Sequence, residues 1–159
     1  MATFQFEYHK YSTHHELILP HQQLISAARR VALQAYAPYS HFKVGAAVLL
    51  ANNKIIEGVN IENASYPVGI CAERAALSSA ISQFPHETIH ALAISIIAPS
   101  GANNSPAFPC GMCRQFISEC EDRNAAAIPI ILSGQSGEVW LIQTSKHLLP
   151  FSFSGKDLK

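Results

Sequence analysis

Charge is the scarcest property of this sequence. Only 14% of its 159 residues are Asp, Glu, Lys or Arg, against roughly a quarter in an average soluble domain. The 11 basic and 11 acidic side chains cancel. That removes the broad positive field needed to bind nucleic acid or an anionic membrane surface. No apolar stretch approaches the ~20 residues of a membrane-spanning helix. The opening MATFQFEYHKYSTHHE sets no basic cluster ahead of an apolar run, so it does not read as a secretory leader. These absences lead us to expect a cytoplasmic protein with no nucleic-acid or membrane partner. Cysteine is sparse too, with four residues, and four thiols in that compartment point to metal or catalysis before disulfides.

Apolar residues are plentiful, at 48%. This excludes a disordered chain. The length suits one domain with a core that needs no disulfide staples. It also leaves apolar surface to hide, which favours self-association.

Residues 1–19 are polar and aromatic, and we expect a mobile extension in which His9, His14 and His15 are solvated. The domain proper is expected over 20–159. From Pro20 to Ala37 a helical pattern places Leu24, Ala28, Val31, Ala32 and Ala35 on one face, and Pro38 stops it. Phe42, Val44, Ala46, Val48 and Leu50 alternate as in a half-buried strand. Asn52-Asn53 turns the chain into a returning strand over Lys54 to Glu62. A helix follows over Cys71 to Ser82, with small residues for close packing. The apolar run Ile89 to Ala98 predicts a buried central strand. A polar loop leads to Pro109 and a helix starting near Cys110. Pro129 to Ser133 and Val139 to Thr144 predict two more strands. The sum is an α/β layered domain of about five strands and three or more helices.

Two segments carry chemistry: Cys71-Ala72-Glu73-Arg74, and Pro109-Cys110-Gly111-Met112-Cys113-Arg114-Gln115. Cys110 and Cys113 are three apart at a predicted helix start. Two thiolates so placed face one point, and the helix N-terminus favours their charged form. Cys71, at another helix start, would be a third ligand. Three protein ligands leave the fourth position of a catalytic zinc to water. Glu73 is then a carboxylate beside that water, suited to proton transfer. The order CxE, a gap, then PCxxC matches the zinc deaminase pattern, in which three cysteines can be the ligands.

Further segments extend the match: Tyr39-Ser40-His41-Phe42-Lys43-Val44-Gly45-Ala46-Ala47, Asn60-Ile61-Glu62-Asn63-Ala64, Leu148-Leu149-Pro150-Phe151-Ser152-Phe153 and Asp157-Leu158. From about Gln22 to Leu158 the sequence resembles the short, homotetrameric cytidine deaminases. The resemblance implies a three-layer α/β/α fold with a mixed sheet of about five strands, and one zinc ion per subunit held by Cys71, Cys110 and Cys113. It implies that Glu73 shuttles protons and that cytidine or 2′-deoxycytidine is hydrolysed to the uridine and ammonia, as in pyrimidine salvage. Asn60 and Glu62 would hold the ribose, and Phe42 would pack on the base. Ala72 and Glu73 would read the pyrimidine edge, and Phe153 would reach a neighbouring subunit's site. The chemistry of the substrate agrees. A neutral ribose needs an amide and a carboxylate, and Asn60 and Glu62 are expected on one face of a strand. A flat base needs an aromatic partner. Three thiolates weaken the Lewis acidity of zinc, and Arg74, or failing it Arg114, would withdraw density from the sulfurs.

Plainer readings stand beside these. A structural zinc site needs a fourth ligand, and Cys120, seven residues past Cys113, reads as a small buried side chain instead. A Cys110–Cys113 redox pair leaves Cys71 and Glu73 without a role. Glu62 could be a strand-edge charge, Phe42 a core residue and Phe153 a terminal cap. A deaminase of another aminopyrimidine nucleoside, such as a modified or antibiotic cytidine, is the alternative enzyme. Ala75, Met112, the loop between Pro99 and Pro109 and the first residues depart from the usual pattern without removing a reacting group.

Overall fold

A computed structural model describes residues 1–101 and 103–158. The elements run β1 (His9–Tyr11), α1 (Leu19–Ala32), β2 (Lys43–Leu50), β3 (Ile55–Val59), α2 (Ala72–Gln83), β4 (Ile89–Ile97), α3 (Gly111–Asn124), β5 (Ile130–Ser133) and β6 (Val139–Ile142). One six-stranded sheet has the order β1-β6-β5-β4-β2-β3. The β4–β5 pair is parallel and all others are antiparallel. The sheet is mixed, with helices on both faces, as expected for the three-layer α/β/α class.

Period-two alternation divides the core. Ala46, Val48, Leu50, Leu92, Ile94, Ile130 and Leu132 face α2 and α3, meeting Ala76, Leu77 and Ile117. Ala47, Leu49, Ala91, Ala93 and Ile131 face α1, meeting Leu24, Ile25 and Ala28. The central strands are therefore apolar on both sides, which is why β4 reads as an unbroken hydrophobic run. Each fully buried Leu or Ile contributes about 1.5–3 kcal/mol by leaving water.

Two glycines set how closely the layers approach. A Cβ at Gly45 would lie 2.2 Å from the Ala28 carbonyl oxygen on α1. A Cβ at Gly58 would lie 2.4 Å from the Ala76 nitrogen on α2. The second contact seats α2, and with it the chemistry at its N-terminus, on β3.

Two features differ from the sequence-based expectation. Helix α1 stops at Ala32, five residues before Ala37. Beyond it Tyr36 pairs with Ile61, and its N–H donates to the Asn60 carbonyl at 3.1 Å, so the chain leaves the helix to join the edge of the pocket. The N-terminal segment, expected to be mobile, is tied down. β1 adds a sixth strand, with Lys10 opposite Trp140. Thr13 caps a short 3₁₀ turn over His14–Glu16, accepting from the His15 N–H, while Glu16 accepts from the Thr13 N–H at 3.0 Å. Leu17 is buried against the α1 layer, and His14 Nδ1 sits 3.1 Å from the Arg29 guanidinium. His14 is thus half-buried beside a cation, while His9 lies in the strand and His15 stays exposed. Thr-x-x-Glu is a capping box, and Phe4, Phe6 and Tyr8 alternate; both signals are in the sequence.

Candidate metal centre and active site

Helices α2 and α3 begin at Cys71 and Cys110, which are their N-cap residues. Both have extended backbones, so each thiol stands where a capping oxygen usually sits, in front of the unpaired N–H groups of a first turn. Cys113 lies one turn into α3 and is fully buried. The three sulfurs lie within 4.8 Å of one another. The Cys71–Cys110 distance is 3.9 Å and the Cys110–Cys113 distance 3.5 Å. Tetrahedral zinc with sulfur at about 2.3 Å separates its thiolates by about 3.8 Å, so the cluster has the spacing of a zinc site. Among the described residues no fourth His, Cys, Asp or Glu joins it. Cys120 is buried among Leu77, Ile117 and their neighbours instead, and burial pushes its thiol up to about 11.

The sulfurs polarise one another. The Cys71 thiol is lowered to about 5, first because Cys113 donates to it, then through Cys110 and the Arg74 guanidinium. Cys113, the donor in that bond and buried, is raised. Arg74 also donates to the Gly69 carbonyl at 3.1 Å, which holds the loop entering Cys71. Arg114 spends its donors elsewhere, on the Pro109 carbonyl at 2.8 Å and the Leu148 carbonyl at 3.1 Å. Of the two arginines considered for withdrawing sulfur density, Arg74 is the one against a thiol.

Glu73 and Glu121 are the buried carboxylates among the described residues. Glu121 is saturated: it accepts from the Ile128 and Ser145 N–H groups and from the Thr144 and Ser145 hydroxyls. Glu73, 5% exposed, instead lines a cavity of about 670 Å³. Burial pushes its pKa up and the Cys71 sulfur adds to that, while its own backbone N–H, Cys113 and Arg74 oppose. A buried carboxyl whose pKa is raised holds its proton more readily than a solvated one, which suits a group that must both take up and release protons.

The cavity is of the size that takes a small organic ligand. Phe42, Asn60, Glu62, Ala72, Glu73, Arg74, Cys71 and Cys110 all line it. Asn60 and Glu62 lie beyond the end of β3 at Val59, a correction to the expectation that one strand carries both. Their segment is still extended, because Ile61 bridges Tyr36 on one side and Ile70 on the other. Asn60 Oδ1 accepts from the Val44 N–H at 2.7 Å and its Nδ2 donates to the Phe42 carbonyl at 2.9 Å. Each group retains one further hydrogen-bonding capacity. Glu62 accepts from the Tyr39 and Ser40 N–H groups and from the Ser40 hydroxyl. Those bonds, the hydroxyl first, hold its carboxyl below the usual range. Phe153 is not among the residues lining this cavity; the residue is 60% exposed and its carbonyl accepts from Gln115.

Sequence reasoning missed some of the wall. Tyr39, Tyr66, Phe108 and Met112 also line the cavity. Phe108 stands two residues before Cys110, and an aromatic residue that close to a metal motif was the available signal.

Residues 19–128 match the family described as the cytidine and deoxycytidylate deaminase zinc-binding region. The chain belongs to that family. It is similar to the cytidine deaminase of Halalkalibacterium halodurans, at 39% identity over 138 residues, covering 86% of this chain and 96% of that one. The cytidine deaminase of Sporosarcina psychrophila is 37% identical over 138 residues, covering 86% and 93%. Among solved structures, the cytidine deaminase from Burkholderia pseudomallei superposes with a TM-score of 0.72 at 37% identity, covering 84% and 98%. That from Mycobacterium tuberculosis gives 0.64 at 31%, covering 83% and 95%.

Proposed function

We propose that this protein hydrolyses cytidine and 2′-deoxycytidine to uridine and 2′-deoxyuridine, releasing ammonia, in the salvage of pyrimidine nucleosides. The observation that carries the reading is the cluster of Cys71, Cys110 and Cys113 at two helix N-termini, with buried Glu73 on the wall of the same cavity. The three cysteines would hold one zinc ion per subunit, as thiolates at a spacing that suits it. Zinc held there supplies an acidified water molecule. Glu73 would move a proton from the attacking water to N3 of the base. The water oxygen bonds to C4; Glu73 then carries the remaining proton of that oxygen to the exocyclic amino group, the C4–N bond breaks, and ammonia departs while the oxygen stays on C4. The Ala72 backbone and Glu73 read the pyrimidine edge. Phe42 packs on the base, and Asn60 and Glu62 hold the ribose through the capacity their protein bonds leave free. Arg74 withdraws density from the sulfurs.

The same reading assigns residues 20–159 to the deaminase domain and 1–19 to an extension, and takes the protein as a cytoplasmic homotetramer. The exposed Phe153 supports the tetramer, since it would complete a neighbouring subunit's site. No described helix is long and apolar enough to cross a membrane. The test is to incubate the purified zinc protein with free cytidine and follow the ultraviolet change to uridine. Conversion of cytidine and deoxycytidine at enzymatic rates supports the assignment; turnover confined to a modified cytidine, or none, refutes it. Sedimentation of the active protein as a stable monomer would overturn the tetramer.

A further inference from the structure

The N-terminal segment lies before the matched family region, which begins at residue 19, yet it is joined to the cavity by a continuous ladder of rings. Phe4 and Phe6 have centroids 6.3 Å apart, and Phe6 and Tyr8 6.2 Å apart. Phe6 is anchored laterally on the His147 ring at 5.5 Å. Tyr8 stacks on Trp140 at 4.8 Å with an interplanar angle of 22°. Trp140 meets Phe108 edge-on, at 5.1 Å and 71°, and Phe108 lines the cavity that holds Glu73 and Cys110.

The strand register explains the order. Successive side chains alternate across a strand, so Phe4, Phe6, Tyr8 and Lys10 project to one face if the extended path continues beyond β1. Lys10 is paired with Trp140, and its ammonium sits 4.1 Å from the centre of that indole. The indole N–H has no hydrogen-bond partner among the described residues. Trp140 is therefore fixed by ring packing, by Lys10 above it and by the core beneath it. Without Tyr8 and Lys10 the outer side of Trp140 would be bare, and the ring that backs Phe108 would be free to move.

We propose that Phe108 is a substrate-contacting residue of this pocket, giving an apolar contact to the bound pyrimidine nucleoside, and that Tyr8 is a positioning residue acting through Trp140. The inference rests on the nucleoside reading above and deepens it. Phe108 is 46% exposed, with its backing on Trp140 and its remaining surface available to the cavity. An aromatic contact to a base is worth enough to change affinity several-fold or more, and a loosened backing forfeits part of that. The extension is then a device that stiffens the pocket wall from outside the matched region.

Steady-state kinetics on the zinc-loaded full chain test this. Wild-type turnover of cytidine comes first; its absence refutes the function and not the ladder. With turnover established, Phe108→Ala is expected to raise KM about five- to tenfold with kcat changed less than twofold. Tyr8→Leu is expected to raise KM about threefold, and Tyr8→Phe, which keeps the stacked ring, to behave as wild type. The double variant should be no worse than Phe108→Ala alone, since both act on one contact. Trp140 is the single tryptophan of the chain, so its fluorescence also reports the ladder. Uridine should perturb the emission in wild type and not in Phe108→Ala. An unchanged KM in Phe108→Ala or in Tyr8→Leu, strictly additive effects, or a loss confined to kcat overturns the proposal.

Discussion

The side-chain amide of Asn60 bridges the two residues that flank Lys43 at the start of β2, accepting from the Val44 N–H at 2.7 Å and donating to the Phe42 carbonyl at 2.9 Å. One side chain thus fixes the backbone that presents Phe42 to the cavity. Asn60→Ala leaves both half-buried backbone groups without this partner, at about 1 kcal/mol for each hydrogen bond lost. We expect a lower melting temperature and a fall in kcat/KM of about tenfold or more, carried mainly by KM. A full kinetic comparison checks this, and unchanged KM would remove Asn60 from the binding machinery.

The two close approaches of helix to sheet give a paired prediction. Gly58→Ala and Gly45→Ala both force a Cβ into backbone, at 2.4 Å from Ala76 and 2.2 Å from Ala28. Each should cost about 1–3 kcal/mol or more of stability through overpacking. Gly58 touches α2, whose first turn carries Glu73 and follows Cys71, whereas Gly45 touches α1 on the other face. Competition with a chromophoric chelator should therefore show weakened zinc retention in Gly58→Ala and near-normal retention in Gly45→Ala.

Metal removal should expose thiols selectively. With zinc bound, iodoacetamide at pH 8 is expected to label none of the four cysteines. After chelation, Cys71 and Cys110 should react first, the former because its thiol falls to about 5. Cys120 should stay unmodified until the protein unfolds, because burial holds its thiol at about 11. That raised value carries a sign: the folded state keeps a proton that the unfolded state has lost. Its contribution to stability is complete below the unfolded thiol pKa and disappears as pH rises from there toward 11. Peptide mapping after timed labelling checks the order.

Glu62 carries the opposite sign. Its carboxyl is held below the ordinary value of 4.5, first by the Ser40 hydroxyl and then by backbone donors. Its stabilising contribution is present above the unfolded carboxyl pKa and is lost as pH falls through the lower folded value. In an NMR titration of the side-chain carboxyl, Ser40→Ala should move the midpoint upward. A midpoint that does not move would show that the hydroxyl is not the main cause.

The alternation of β2, the apolar run of β4 and the cysteine motifs were legible in the sequence because each follows from local chemistry. The face assignment of Ala46 and Ala47 needs nothing more than a period of two. The end of α1 was not legible from Pro38 alone, because the helix stops where Tyr36 is drawn into pairing with Ile61, a partner 25 residues away. Phe108 and the N-terminal strand were missed for a similar reason. Aromatic residues in a polar segment acquire a place only once Trp140 supplies a ring to stack on, and that is a long-range fact. At the candidate site, Cys71, Glu73, Cys110 and Cys113 were readable as a set because zinc chemistry restricts both residue type and spacing. The double use of Asn60, as brace and as cavity wall, was not readable, since its backbone partners lie 16 and 18 residues earlier in the chain.

The most direct test of the proposed chemistry is to measure zinc content and cytidine turnover on the same preparations of wild-type protein and Glu73→Gln. The expected result is about one zinc per chain in both, with turnover in the variant lower by roughly 10²–10⁴-fold. Wild-type protein without tightly held zinc, or a Glu73→Gln variant that deaminates at the wild-type rate, would contradict the account.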